Sequence, residues 1–149
     1  MTPRLNKAAW AVTAIYTALL TTASLLPSGS DVLGGWDASL SPNLQNGLHL
    51  PAYAGIVILW ALSWSTRSPL TTCSILAVTC ACVAFGAAME LAQSVIPGRT
   101  CGLGDALANT GGTVLGFISV LLWRCVQTRL GSTKAAHKPV GEPAECRIQ

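Results

Sequence analysis

A small set of polar side chains interrupts long apolar stretches and supplies the groups that could do chemistry. The set comprises two carboxylates, an imidazole, a guanidinium, two amides and a phenol: Glu90, Asp105, His49, Arg99, Gln93, Asn109 and Tyr53. Carboxylates and an imidazole can exchange protons with a substrate, and a guanidinium can hold a phosphate or carboxylate through two hydrogen bonds. Because ionisable groups inside apolar helices are costly, they are candidates for function by default.

The spacing of these residues places them on shared helix faces. Glu90 and Gln93 are three residues apart and His49 and Tyr53 are four apart, so each pair shares one face of a helix. A further stripe has separations of four, three and four residues and comprises Asp105, Asn109, Gly112 and Gly116. Its two glycines allow a neighbouring backbone to approach closely. The spacing predicts that this stripe faces the helix of Glu90 and Gln93 and brings the polar side chains together.

The elements that must position these residues follow from the composition. Of 149 residues, 51% are hydrophobic and only 10% are charged, whereas a soluble domain carries about 25% charged residues. Four apolar runs, 8–26, 48–64, 70–95 and 103–123, each approach the roughly 20 residues that a spanning helix needs. We therefore predict an all-α, multi-pass protein of the cell membrane, with one domain of four transmembrane helices over 1–130. This composition excludes a soluble enzyme and a partner that is a nucleic acid.

The distribution of basic residues predicts the orientation. Every Lys and Arg except Arg99 lies before the first run, between the second and third, or after the fourth. The positive-inside rule then predicts that both termini are cytoplasmic and that the polar set faces outward. The polar segment 131–149 is predicted to be a disordered cytoplasmic tail. A cleaved signal peptide is the less favoured interpretation of the first run, whose apolar stretch exceeds the roughly 7–15 residues of such a region.

The metal-ligating residue types do not form a recognisable motif. The chain has two histidines and six cysteines, and it has no zinc pattern or phosphate-binding loop. Cys80 and Cys82 are two residues apart on a helix and face nearly opposite sides, so they do not share a metal. A divalent ion on the carboxylates is conceivable, but nothing in the sequence requires one. We expect neither a metal nor a cofactor.

A purely structural interpretation of the polar set is the alternative. Arg99 would pair with Glu90 or Asp105 and fasten the loop between the last two helices. Asn109 and Gln93 would then hold helices together by hydrogen bonds worth about 0.6–2 kcal/mol each. The histidine and tyrosine would lie at the membrane interface.

The residues from Glu90 onward resemble the signature of the VanZ-like membrane proteins. The matching positions are Glu90, Gln93, Pro97, Arg99, Asp105, Asn109, Gly112 and Gly116. A histidine followed four residues later by a tyrosine, as in His49 and Tyr53, also occurs at the head of the second helix in that family. The sequence departs from the family at Gln45 and Asn46, where members often carry an Asp-Lys pair, and at Pro51. The resemblance implies a four-helix membrane protein and a link to teicoplanin resistance.

Two classes of function fit these observations. The first is a non-enzymatic accessory protein whose outward polar site binds an envelope lipid, a cell-wall precursor or a partner protein. The second is a membrane enzyme that acts on a lipid-linked substrate through acid–base chemistry at Glu90, Asp105 and His49. A carrier is less favoured because the inner halves of the runs hold no charge that would continue a path. The glycine stripe is also compatible with a homo-oligomer.

Overall fold

The computed structural model describes residues 3–26, 42–96 and 102–136, and these residues form a bundle of four α-helices. The helices are α1 (Pro3–Leu25), α2 (Pro42–Ser65), α3 (Thr72–Gln93) and α4 (Leu103–Ala136). No strand occurs within these ranges. Each helix is long and apolar enough to cross a membrane. The predicted all-helical fold with four spans is confirmed, while the cytoplasmic placement of the termini stays a prediction.

Two helices extend beyond the predicted spans. Helix α2 begins at Pro42, so His49 lies within the helix and not at its head. Proline suits a first helical position because its fixed φ is already helical and its missing N–H would have no helical partner there. Helix α4 continues to Ala136, over the first residues of the segment predicted to be disordered. Extending a helix that is already nucleated requires little free energy, which accounts for the helical residues 131–136. Residues 137–149 lie outside the described part of the chain.

Helix α4 packs most extensively against α2, where its glycines remove the side chains that would separate the two backbones. A Cβ atom on Gly112 would lie 2.3 Å from the carbonyl oxygen of Leu50, and one on Gly116 would lie 2.7 Å from that of Ala54. The prediction that the glycine stripe faces the helix of Glu90 is therefore wrong for these glycines. Leu50 and Ala54 are one helical turn apart, so their carbonyls match the spacing of the two glycines.

Helix α1 is attached to α2 by hydrogen bonds between side chains and backbone. The hydroxyls of Thr13 and Ser63 are 2.7 Å apart, and both residues are almost fully buried. Near the other end of the interface, the Tyr16 hydroxyl donates to the carbonyl of Ala52 at 2.9 Å. Between helices in lipid, such bonds and close packing replace the hydrophobic driving force of a soluble core.

The connection between α2 and α3 is fastened at the opposite end of the bundle from Glu90. The Arg67 guanidinium lies over the Trp10 ring, 4.6 Å from its centroid, and so joins this connection to α1. Helix α3 then begins with a capping box in which the side chains of Thr71 and Ser74 each accept a hydrogen bond from the other residue's backbone N–H. These contacts fix the start of α3 and thereby the height at which its far end presents Glu90.

Candidate functional site

Three helices contribute one side chain each to a continuous hydrogen-bonded group. The Nδ2 amide of Asn109 in α4 donates to Oε1 of Glu90 in α3 at 2.7 Å. The Oδ1 oxygen of the same Asn109 lies 2.9 Å from Nδ1 of His49 in α2. Glu90 is 7% exposed and Asn109 4% exposed, whereas His49 is half-buried. We call these three residues the polar chain; it runs from a partly accessible imidazole to a buried carboxyl group.

The donors and acceptors of the polar chain follow from the chemistry of its members. A carboxylate can only accept hydrogen bonds, so an ionised Glu90 requires the NH₂ group of Asn109 on its side. The amide oxygen of Asn109 then faces His49, whose Nδ1 must carry a proton in order to donate. In the neutral imidazole the lone pair is consequently on Nε2. His49 is therefore in the tautomer whose Nε2 atom can accept a proton or a hydrogen bond.

The Tyr53 ring packs against the His49 end of the polar chain. It stacks on the His49 ring with centroids 6.3 Å apart and planes 15° apart. Only 1% of Tyr53 is exposed, and its hydroxyl has no hydrogen-bond partner among the described residues. Gly86 makes room for the ring, because a Cβ there would lie 3.0 Å from Cε1 of Tyr53. The ring thus sets the orientation of His49 through packing.

Gln93 is buried one turn from Glu90, but it turns toward a different helix. Its Nε2 amide donates to the backbone carbonyl of Ser24 at 2.8 Å. Ser24 lies in the last turn of α1, where carbonyl groups lack partners within the helix. Gln93 therefore holds the end of α1 against α3 and is not bonded to the polar chain.

Replacing Gln93 with leucine is expected to lower the free energy of unfolding by about 1 kcal/mol, because the Ser24 carbonyl loses its donor in a buried place. The change keeps the size of the side chain approximately, so packing is little altered. Thermal unfolding in detergent, followed by circular dichroism, measures the effect. Gln127→Leu is the matched control, since Gln127 is exposed on α4 and should change stability little. Equal stability of the two variants would contradict a role for Gln93 in holding α1.

Asp105, a further member of the predicted set, stands apart from the polar chain. Asp105 lies in the first turn of α4, one turn from Asn109, and is partly exposed. No described contact joins it to His49, Glu90 or Asn109, and a carboxylate in a first turn is stabilised by the helix dipole. Arg99 lies outside the described residues, so its predicted pairing with a carboxylate stays a prediction.

A cavity of about 80 Å³ lies between α3 and α4 beside the polar chain. Glu90 and Asn109 provide its polar wall, and the remainder is formed mainly by small or apolar residues: Cys82, Val83, Gly86, Ala87, Ala106, Thr110 and Thr113. The hydroxyl of Thr113 donates to the backbone carbonyl of Asn109 at 2.9 Å and so does not compete for the amide side chain. The cavity gives a small molecule or group access to the carboxyl end of the polar chain.

Sequence reasoning missed two parts of this arrangement. Gly86 lies one turn before Glu90 on the same face of α3, so its spacing could have marked a close contact beside the carboxyl group. Ser24 contributes through its backbone carbonyl, which any residue type would supply, so the sequence held no signal for it. Within the described residues, no group of three His, Cys, Asp or Glu side chains could hold a metal ion.

The comparisons with known proteins bear on this arrangement as a whole. Neither the curated proteins nor the solved structures gave a match to the chain. The family model described as VanZ/LLP1 matches residues 5–124. This range includes the first three candidate spans, the fourth span as far as residue 124, and every member of the polar chain. Since this match covers well over half of the 149 residues, the chain belongs to the VanZ/LLP1 family.

Proposed function

We propose that this VanZ-like membrane protein is a non-enzymatic accessory factor whose polar chain binds an envelope lipid or a lipid-linked cell-wall precursor. The supporting observation is the hydrogen-bonded group of His49, Asn109 and Glu90 beside a cavity between two spanning helices. A buried carboxyl group is costly in a membrane helix. Uncharged residues could make the same two hydrogen bonds between helices, so holding the helices together does not require an ionisable residue. The presence of an ionisable group next to a cavity therefore favours ligand binding.

The depth of the polar chain supports a ligand from the membrane. Glu90 lies three residues before the end of α3 at Gln93, which corresponds to about 4.5 Å along a helix that rises 1.5 Å per residue. The whole helix of 22 residues is about as long as the hydrocarbon core is thick. Glu90 therefore lies near the level where lipid headgroups begin. The basic residues near the opposite ends of the helices favour the outward-facing orientation of this level.

The proposal includes a link to glycopeptide tolerance, which the resemblance to VanZ implies. A ligand site on the outer side of the membrane would have access to the precursors that these antibiotics bind. A partner protein of the envelope is a further ligand that such a site could take, but the small cavity favours a lipid.

A second candidate, a membrane enzyme acting on a lipid-linked substrate, is favoured by one specific observation. The contact between Asn109 Oδ1 and His49 Nδ1 leaves Nε2 of the neutral imidazole as a base, while Glu90 fixes the orientation of the asparagine. A positioned imidazole base is a common general base in catalysis. In this function Glu90 would be the acid or base partner of His49, to which it is joined through Asn109.

Glu90→Gln tests whether the charge of the carboxyl group is used. The glutamine oxygen can still accept from Asn109, so we expect normal protein level and membrane insertion. In a strain lacking the chromosomal copy, expression of the wild-type protein should return teicoplanin tolerance to the level of the parent strain. Expression of the Glu90→Gln variant should return little of this tolerance. Asp105→Asn also removes one carboxylate charge, but one helical turn away from the polar chain. This control variant should restore teicoplanin tolerance fully.

Equal restoration by Glu90→Gln and the wild type would mean that the polar chain only joins helices. Mass spectrometry of envelope lipids from the same strains separates the two candidate functions. A chemically new lipid species that depends on the wild-type protein supports the enzyme. Unchanged lipid species with altered susceptibility support the accessory factor.

A further inference from the structure

We infer that the ligand is a membrane lipid whose headgroup donates hydrogen bonds, and that this headgroup enters the α3–α4 cavity sideways from the bilayer. The inference rests on the proposed function, because it assigns a ligand class and a route to the same polar chain. It is carried by the shape of the cavity, the exposure of its rim and the chemistry of its inner wall.

The rim of the cavity opens on the face of the bundle that lipid covers. Val83 and Ala87 of α3 and Thr110 of α4 line the cavity and are exposed, Val83 to 40%. All three lie inside candidate membrane spans, so their exposed surfaces face the surrounding lipid. A group that reaches Glu90 through this rim therefore comes from within the membrane.

Small residues keep the gap between the two helices open. Gly86 and Ala87 on α3 and Ala106 on α4 line the cavity, and none has a side chain long enough to cross to the opposite helix. The large apolar side chains of α3 that are most exposed, including Leu91 at 73%, do not line it. The opening thus lies beside the buried carboxyl group and is not blocked by its neighbours.

The inner wall favours a hydrogen-bond donor. The oxygens of an ionised carboxyl group only accept hydrogen bonds, and Oε1 of Glu90 accepts one from Asn109. Asn109 directs its oxygen toward His49, so the amide adds little donating capacity toward the cavity. At the rim, the Thr110 hydroxyl makes no hydrogen bond with any other described residue and can bond to the same entering group.

The size of the cavity limits what can enter. A volume of about 80 Å³ is comparable with the space of a few water molecules. This suits the terminal ammonium or hydroxyl of a lipid headgroup, and it excludes a sugar ring or a peptide. The acyl chains of the lipid would remain in the bilayer beside α3 and α4.

Native mass spectrometry of the purified full-length protein tests this with defined lipids. Phosphatidylethanolamine has an N–H donor headgroup, phosphatidylglycerol has hydroxyl donors, and phosphatidylcholine carries a positive charge but no donor. We expect a donor lipid to be retained over phosphatidylcholine by about tenfold, the difference that one hydrogen bond to a charged group gives. Equal retention of the donor lipids and phosphatidylcholine would overturn the assignment of ligand class.

Ala87→Leu tests the route by filling the rim without changing a polar side chain. We expect it to reduce retention of the donor lipid by about tenfold or more, since the cavity holds only a few atoms. Ala88→Leu is the matched control, because Ala88 is the next residue, is also exposed and does not line the cavity. Val83→Phe also fills the rim without changing a polar side chain, and it serves as the second variant if Ala87→Leu does not fold. Retention unchanged in the folded rim variants would overturn the lateral route.

Glycerophosphoethanolamine, the same headgroup without acyl chains, distinguishes entry from the bilayer and entry from water. It should not displace phosphatidylethanolamine at equal concentration, and efficient displacement would overturn the lateral route.

Glu90→Gln separates this inference from the proposed function. If the variant loses lipid retention but Ala87→Leu keeps it, the proposed function stands and the route fails. If both variants retain the lipid like the wild type, the proposed function fails as well.

Discussion

Gly112→Ala is expected to lower the free energy of unfolding by about 3 kcal/mol or more, at the upper end of what overpacking costs. The added Cβ would lie 2.3 Å from the carbonyl oxygen of Leu50 and 3.0 Å from its Cα. These are backbone atoms of a helix, so no change of side-chain rotamer can relieve the contact. Helix α4 must instead move away from α2, and thermal unfolding in detergent will show the loss of stability.

The same displacement is expected to weaken the polar chain. Asn109 lies three residues before Gly112 on α4, so it moves with the helix. Its bonds of 2.9 Å to His49 and 2.7 Å to Glu90 leave little distance to spare before they break. Gly112→Ala should therefore reduce lipid retention as well as stability.

Gly111→Ala is the matched control because it makes the same chemical change one residue away. A Cβ there would have Leu50 Cδ1 at 3.9 Å as its nearest neighbour, which is an ordinary contact. Alanine is also the better helix former by about 1 kcal/mol. We expect this variant to be as stable as the wild type or slightly more stable. Similar unfolding temperatures for the Gly111 and Gly112 variants would contradict the close packing of α4 on α2.

The glycines also show where sequence reasoning reached its limit. The separation of Gly112 and Gly116 indicates that some backbone approaches closely, but it does not identify the neighbour. In the structure that neighbour is α2, and the glycines lie against the carbonyls of Leu50 and Ala54. That contact depends on the axial offset of α2 against α4, which the sequence does not specify.

Gln93 shows the same limit at the level of one helix face. Residues three apart are separated by about 60° around a helix, so Glu90 and Gln93 share a face only approximately. Where three helices meet, this difference is enough for Glu90 to meet α4 and Gln93 to meet α1. The helices themselves were predictable, because run length and the absence of charge determine a span almost independently of packing.

The convergence of His49, Glu90 and Asn109 at one end of the bundle could be expected from span polarity alone. Alternate spans run in opposite directions, so a residue early in α2 and α4 lies at the same end as one late in α3. The geometry adds that Asn109 is the central member and that Asp105, on the same stripe, is not joined to it.

Asn109→Leu is expected to lower the free energy of unfolding by about 2–3 kcal/mol, since one buried and one part-buried hydrogen bond are lost and both partners stay behind. Leucine is close to asparagine in size, so the packing against Gly86 and Thr113 is largely kept. The larger part of the effect comes from Glu90, whose carboxyl group is 7% exposed and loses the hydrogen bond from Asn109. Thermal unfolding measures the stability, and lipid retention should fall by about tenfold or more because the wall of the cavity is altered.

The double variant Glu90→Leu/Asn109→Leu separates the role of the polar chain in folding from its role in binding. Replacing both partners of a buried hydrogen bond by apolar groups is close to neutral for that bond, although the half-buried His49 still loses its contact with Asn109. We therefore expect the double variant to regain at least about 1 kcal/mol over Asn109→Leu while lipid retention stays lost. Asp105→Asn should change the free energy of unfolding by about 0.5 kcal/mol at most, since only a first-turn helix-dipole interaction is affected. Stability effects of Glu90→Leu and Asn109→Leu that simply add would contradict a direct bond between the two side chains, since residues in contact depart from additivity by about 0.5–3 kcal/mol.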